Sequence, residues 1–453
     1  ILNPVKEKYS VPTAISMVIG CVIGSGVFFK AESISRITGG STLSGVIAWC
    51  IGGVIMLVCL LMFAVFSLEY GSEGGIIGYA QKTVGKTFAY YSGWFMAAIY
   101  YPSLVSVLSW LSARYTLLFF GSSDSSGGLC MLLSCLYLIL SFIQNALFPK
   151  FAGRFQIATT AIKLVPLALM ITGGIFRGIS SGVLCQNLSA VSTAPSQTGN
   201  VFSAVVASAF AYEGWIAATS IGTELKNSRK NLAPSLIIGG GCVMLVYVLY
   251  FLGISGAVSS ETLVNYSSGG IRMAFNAVLG STAGAFLTAF VAVSCLGALN
   301  GMIFGGGRAM YNLSILEKST SLKLFSKIDS QSSTPLASFC AGLFFSVIWL
   351  FFYYGSQISD TSIFFGYSFD SSELPVISIY SFYIPMFFMF IKKHHHEKPF
   401  TNLILPSCAI CACIFMIISA IWAHGIDFFN YMLSFISIML FGCLFKRGNV
   451  NND

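Results

Sequence analysis

Charge is scarce in this chain. Asp, Glu, Lys and Arg make up 9% of its 453 residues, where a soluble globular domain carries roughly 25%. So little charge cannot cover a water-facing surface, which excludes a soluble fold and equally a disordered, self-solvating chain. Signatures of enzymatic chemistry are also missing. No P-loop, Ser/His/Asp arrangement or HExxH occurs, which argues against ATP-driven pumping and membrane proteolysis. The 13 cysteines lack the spacing of a secreted disulfide framework. Cys50, Cys59, Cys242, Cys295, Cys408, Cys411 and Cys413 lie inside apolar runs, as small core hydrophobes do. The net charge of +8 marks no nucleic-acid partner, because the basic residues are dispersed between apolar runs. His394-His395-His396 stands in a basic loop without acidic or Cys companions, so neither a metal site nor a cofactor is expected.

What the chain has in excess is apolar. Hydrophobic residues reach 56%, with 40 Phe and 20 Tyr, and the mean hydropathy is +0.81. A membrane-crossing helix needs about 20 apolar residues. Twelve such runs fall near 11–35, 42–67, 88–118, 129–148, 156–176, 200–223, 233–257, 273–311, 335–354, 374–391, 402–422 and 427–445. The first is too long for a cleavable signal and is followed by many more. The eighth exceeds a bilayer's thickness and is expected to tilt or protrude. The Ser-rich stretch 178–199 reads as an external loop, and Asn187-Leu188-Ser189 and Asn265-Tyr266-Ser267 are external glycosylation acceptors only in a eukaryotic host.

Lys and Arg orient the bundle. With the N-terminus in the cytoplasm and twelve crossings, 18 of the 24 basic residues fall on the cytoplasmic side. Only Lys30, Arg36, Arg114, Arg177 and Arg272 fall outside. The asymmetry places both termini in the cytoplasm. It leaves one cation, Lys163, and one acid, Glu213, within spans. An ionised group at the bilayer centre costs roughly 2.5–3.5 kcal/mol and tends to face a cavity or a partner. Lys163 lies nine residues past Arg154, about 13 Å along a helix, too deep for easy snorkelling. Glu213 is either hydrated at a helix break or in contact with substrate.

Two runs carry breaks. The first contains Gly24-Ser25-Gly26 at mid-membrane, and the sixth contains Phe210-Ala211-Tyr212-Glu213-Gly214-Trp215. Gly costs nearly 1 kcal/mol relative to Ala inside a helix. Interrupted helices at matching places in two halves point to the binding site of an inverted-repeat transporter. Here the halves are residues 1–176 and 200–392, with 402–446 as two further helices of a single transmembrane domain. A helix restarting at Gly26 and Val27 offers amides to a carboxylate. A half-helix stopping near Val22, and another near Phe210, Ala211 and Glu213, offer carbonyls to an ammonium group. Together these suit an α-amino acid. The alternative for Gly20-xxx-Gly24 is close helix packing.

These residues resemble a known family. Val22-Ile23-Gly24-Ser25-Gly26-Val27-Phe28 is similar to the first-helix signature of the amino acid–polyamine–organocation superfamily. Phe210 to Trp215, followed by Glu224-Leu225-Lys226-Asn227 and Asn231-Leu232-Ala233-Pro234, resembles the sixth helix and following loop of L-type amino-acid transporters. Ser294-Cys295-Leu296-Gly297-Ala298-Leu299-Asn300-Gly301 resembles the eighth helix of the same family. The resemblance implies an all-α, LeuT-like fold of twelve helices and sodium-independent transport in a bacterial inner membrane. It implies that Lys163 replaces a cation by bridging Gly20 and Ser294, that Tyr247 works with it, and that Phe210 is an aromatic gate. Small neutral amino acids carried by exchange are expected. Proton symport, or a cationic substrate recognised by Glu213, stays open. Eukaryotic L-type chains join a glycoprotein through an external cysteine. Only Cys130 stands near that place, so no such partner is expected, and the chain is expected to function as a monomer.

Overall fold

The computed structural model describes residues 11–24, 26–71, 75–122, 124–189, 197–216, 228–265, 270–280, 283–317, 320–358, 367, 369–394 and 398–446. Every regular element among them is helical. The first apolar run forms α1 (Val11–Val22) and α2 (Gly26–Ile37). Then follow α3 (Thr42–Tyr70), α4 (Gly75–Thr83), α5 (Lys86–Phe119), α6 (Gly128–Leu147), α7 (Pro149–Ser181) and α8 (Val183–Ser189). The second half of the chain contributes α9 (Gln197–Ala211), α10 (Ser228–Ala257), α11 (Ser260–Asn265), α12 (Gly270–Leu279), α13 (Ala283–Gly306) and α14 (Ala309–Leu316). It closes with α15 (Leu336–Ile358), α16 (Leu374–His394), α17 (Phe400–His424) and α18 (Ile426–Phe441). Among the described residues, ten helices are long and apolar enough to cross a bilayer. The chain is a multi-pass membrane protein.

Its helices are patterned inside out. On α6, Leu132, Leu136, Ile139, Leu140 and Ile143 are exposed while Ser134 and Asn145 are buried. An apolar outer face suits lipid, and polar side chains turn inward to meet other helices. The most enclosed span is α5, which packs along α13. Ser103, Ser106, Ser109 and Ser112 are buried on α5, and each hydroxyl donates to a carbonyl three or four residues earlier. Their polarity is thereby satisfied inside one helix, and their small size lets another helix come close.

Glycine sets a second close crossing. A Cβ at Gly174 would lie 2.2 Å from the Gly253 carbonyl oxygen, and one at Gly178 would lie 2.5 Å from the Gly256 Cα. Thus α7 and α10 touch backbone to backbone, the small-xxx-small mode of membrane packing. Near the start of α7, Asn300 of α13 joins three helices. Its carbonyl accepts from Asn145 (2.8 Å) and Gln144 (3.2 Å), and its amide donates to Ala152 O and Gln156 Oε1, both at 3.1 Å.

Two sequence expectations change. The run 273–311 is not one tilted helix. It comprises α12, α13 and α14, and Gly280 ends α12 with a positive φ of 93°. The stretch from 178 is not an open loop either: helix continues to Ser181, turns at Gly182 (φ 75°) and resumes as α8. Asn187 is buried there and its amide donates to Ser255 O and Val258 O. That excludes it as a glycosylation acceptor in this fold. Residues 266 and 267 of the other sequon lie outside the described residues.

Asn300→Leu removes every polar contact at the three-helix junction. The expected cost is about 1–2 kcal/mol from the partners left unpaired, read as a lower thermal midpoint in detergent. A midpoint equal to that of the wild type refutes the junction's structural weight.

Candidate functional site

The first helix is interrupted where the glycines stand. α1 ends at Val22 and α2 begins at Gly26. Ser25, expected in the binding turn, lies outside the described residues. The sixth run also stops where expected. α9 ends at Ala211, Glu213 N donates to Phe210 O at 3.3 Å, and Gly214 has a φ of 108°. Residues 217–227, including the Glu224–Asn227 motif, lie outside the description.

The two helix ends meet. A Cβ on Gly26 would stand 2.7 Å from the Ala211 Cα, so any side chain there must push α2 and α9 apart. Gly24 faces α13, where its Cβ would reach Ala298 at 3.4 Å. Val22, Val27, Phe210 and Ala211 are all buried around this meeting point.

Helix ends leave carbonyls without helical donors, and here side chains from other spans supply them. Lys163 of α7 is fully buried, and its Nζ donates to Gly20 O at 2.6 Å. The contact follows from packing on both sides of α7. Thr160 lies under Gly20, and Thr159 lies against Gly297 of α13, where added Cβ atoms would come within 3.1 and 2.5 Å. One turn further on, Lys163 therefore sits between the first helix and α13. Ser294, one turn before Ala298 on α13, is fully buried and its hydroxyl has no hydrogen-bond partner. Tyr247 of α10 is buried, and its hydroxyl lies 3.0 Å from both Val22 O and Ala211 O, beside the Gly24 amide. One hydroxyl thus spans the ends of both interrupted helices. Tyr212 adds a strut from the sixth run, donating to Trp49 O of α3 at 2.9 Å.

The carbonyls that sequence reasoning assigned to an ammonium group are thus partly engaged. Phe210 O takes the Glu213 amide, and Tyr247 serves Val22 and Ala211. A carbonyl has two lone pairs, so this engagement leaves acceptor capacity. Glu213 is buried and accepts from the Tyr100 hydroxyl and the Gly214 amide. Tyr100 closes a π-helical turn, Met96–Tyr100, within α5. Such turns often mark functional positions.

Sequence reasoning missed Tyr100 as the partner of Glu213, and it also missed the place of Lys30. Lys30 was assigned to the outer surface by its position in the chain, yet it is buried in α2 and paired with Glu373. Opposite charges beside the first and tenth runs were the available signal, but nothing in one sequence joins residues so far apart. Cys130, the candidate for an external disulfide, is buried in α6. His394 has its ring 3.3 Å from the Tyr70 hydroxyl, and His395 and His396 lie outside the description.

A multi-pass bundle organised around two abutting interrupted helices belongs to the class of membrane permeases for small solutes. A family model described as amino acid permease matches residues 9–444, and the chain belongs to that family. It is similar to a serine/threonine exchanger of Bacillus subtilis, 25% identical over 92% of this chain and 91% of the relative. The human cystine/glutamate transporter is 26% identical over 73% of this chain and 65% of its own length. The mouse Asc-type amino acid transporter 1 is 27% identical over 68% of this chain and 58% of its own.

Gly26→Val should separate α2 from α9. Overpacking of about 1–3 kcal/mol corresponds to a loss of uptake of about five- to 150-fold, with the protein still inserted. Uptake near the wild-type rate in that variant rejects the meeting point as the site.

Proposed function

We propose that this permease carries α-amino acids by alternating access, as a sodium-independent exchanger of small neutral substrates. The observation that carries the reading is the Lys163 ammonium on the Gly20 carbonyl, 2.6 Å away in the middle of the bundle. A fixed cation at a helix end does what a bound sodium ion would do there, and it requires no ion gradient. The amides at the start of α2 suit the substrate carboxylate. The carbonyls of Val22 and Ala211 suit its ammonium group, and Phe210 closes over it. Similarity to an exchanger of small hydroxylated amino acids supports this substrate size.

The reading includes a LeuT-like arrangement of twelve helices. The described spans, together with the interrupted first and sixth runs, are consistent with two inverted repeats of five and two further helices. The distribution of Lys and Arg supports cytoplasmic termini, and a bacterial inner membrane fits the Bacillus relative. The burial of Cys130 supports function without a disulfide-linked glycoprotein, and the reading takes the chain to work as a monomer.

Glu213 favours a second reading. A buried carboxyl held by a phenol and an amide is suited to carry a proton or to receive a cationic side chain. Counterflow in proteoliposomes against the full set of amino acids, at two pH values and with and without sodium, separates the readings. Exchange is expected with small neutral amino acids and no response to sodium. Net uptake driven by a proton gradient alone would replace exchange by symport. Lysine or arginine as the best substrate would assign Glu213 to side-chain recognition. Lys163→Ala should lose most of the flux while remaining inserted, and wild-type kinetics in that variant sink the proposed role of the lysine.

A further inference from the structure

A second buried cation stands apart from Lys163. Lys30 of α2 is 4% exposed, and its ammonium group is bracketed on two sides. On one side it pairs with Glu373 and donates to Ser372 Oγ at 3.4 Å. Those residues are held in place by Asp370, which accepts from the Ser372 and Glu373 amides at 2.6 and 3.0 Å and so fixes the turn leading into α16. The other oxygen of Glu373 meets Nε2 of His424, the last residue of α17, at 3.1 Å. On its other side the ammonium lies 5.4 Å from the centroids of both Phe29 and Phe210. These two rings touch edge to face at 5.3 Å.

Such a pair is expensive to bury and seldom adds net stability. What it fixes is geometry. A carboxylate anchored at the start of α16 holds the cation at one height, and the cation draws the negative faces of two rings toward it. Phe29 belongs to α2 and Phe210 to the end of α9, so one charge gathers four helices at the edge of the substrate site.

We propose that Lys30 is a positioning residue for closure of the site: its charge, anchored by Glu373, seats the Phe210 ring against α2. This rests on the reading of Phe210 as the aromatic closure. The neutral side chain of Lys30→Met keeps the bulk and removes the cation, whereas Lys30→Arg keeps a cation that also favours aromatic faces. Because removing Lys30 alone strands Glu373, the double variant Lys30→Met/Glu373→Gln is measured beside it.

The full-length chain is reconstituted and followed in two ways. The first is hydrogen exchange of residues 26–37 and 205–213 without substrate. The second is counterflow of whichever amino acid the wild type carries best. Lys30→Met and the double variant should exchange faster in both segments. They should also show an apparent KM raised about tenfold, as expected for loss of a desolvated cation–π contact, with the maximal rate changed much less. Lys30→Arg should restore both readouts. Unchanged hydrogen exchange in the double variant overturns the proposal whether or not an amino acid is carried. Equal impairment of Lys30→Met and Lys30→Arg also overturns it, since retaining a cation would then rescue nothing. Absence of counterflow in the wild type, with faster hydrogen exchange in the variants, would reject the transport reading while leaving the positioning role standing.

Discussion

A helix that stops inside a membrane must hand its last carbonyls to another donor, because lipid offers none. That requirement organises the centre of this protein. Gly20 O receives the Lys163 ammonium, and Val22 O and Ala211 O share the Tyr247 hydroxyl. The donors come from α7 and α10, so both spans must be pinned at the depth of the break. The glycine contacts between them, Gly174 to Gly253 and Gly178 to Gly256, hold the pair backbone to backbone. The side chains of Thr159 and Thr160 set α7 against Gly297 of α13 and Gly20 of α1. Much of the surrounding packing can be understood as holding two donors where two helices end.

The donors differ in how firmly they bind. An ammonium on a carbonyl is a charge-assisted hydrogen bond, about twice as strong as a neutral one. Tyr247 has one proton for two acceptors, at equal distances of 3.0 Å. Its hold on the pair is therefore the weaker of the two. On the proposed reading, a substrate ammonium with three donors would engage the same carbonyls more completely than the phenol does. Substrate would then shift the balance between open and closed arrangements only by that difference, as any ligand must. The Lys163 ammonium, by contrast, ties α1 to α7 through the stronger kind of bond.

Much of this was legible in the chain. The apolar runs are long, the interruptions fall at Gly24–Gly26 and after Ala211, and a lysine in mid-span has few explanations. The family assignment follows from motifs that agree in order along nearly the whole sequence. Other features escaped for physical reasons. The split falls at Gly280-Ser281-Thr282, a gap too short to divide a long apolar run by its mean hydropathy, and hydropathy does not register a positive φ. The burial of Lys30 depends on Glu373 and His424, which are distant in sequence and carry no local sign of their pairing. Tyr100 reaches Glu213 from a π-helical turn, and a regular helical register read from sequence would not anticipate it.

The two halves of the first helix end up with opposite electrostatic needs. The carboxyl end of α1 carries partial negative charge, and the chain answers it with its own cation, Lys163. The amino end of α2 carries partial positive charge, and the buried acids on α2, before α16 and after α9 have partners of their own: Glu32 has Arg36, Glu373 has Lys30 and His424, and Glu213 has Tyr100. On the proposed reading, the break is supplied with a built-in cation, Lys163, and its amino end is met by a ligand. That asymmetry favours a substrate bearing a carboxylate over one bearing only a positive charge, and it does so through backbone that any α-amino acid can engage. On the same reading, selection among side chains must come from the walls, and Phe210 and the Glu213–Tyr100 pair both stand at the end of α9.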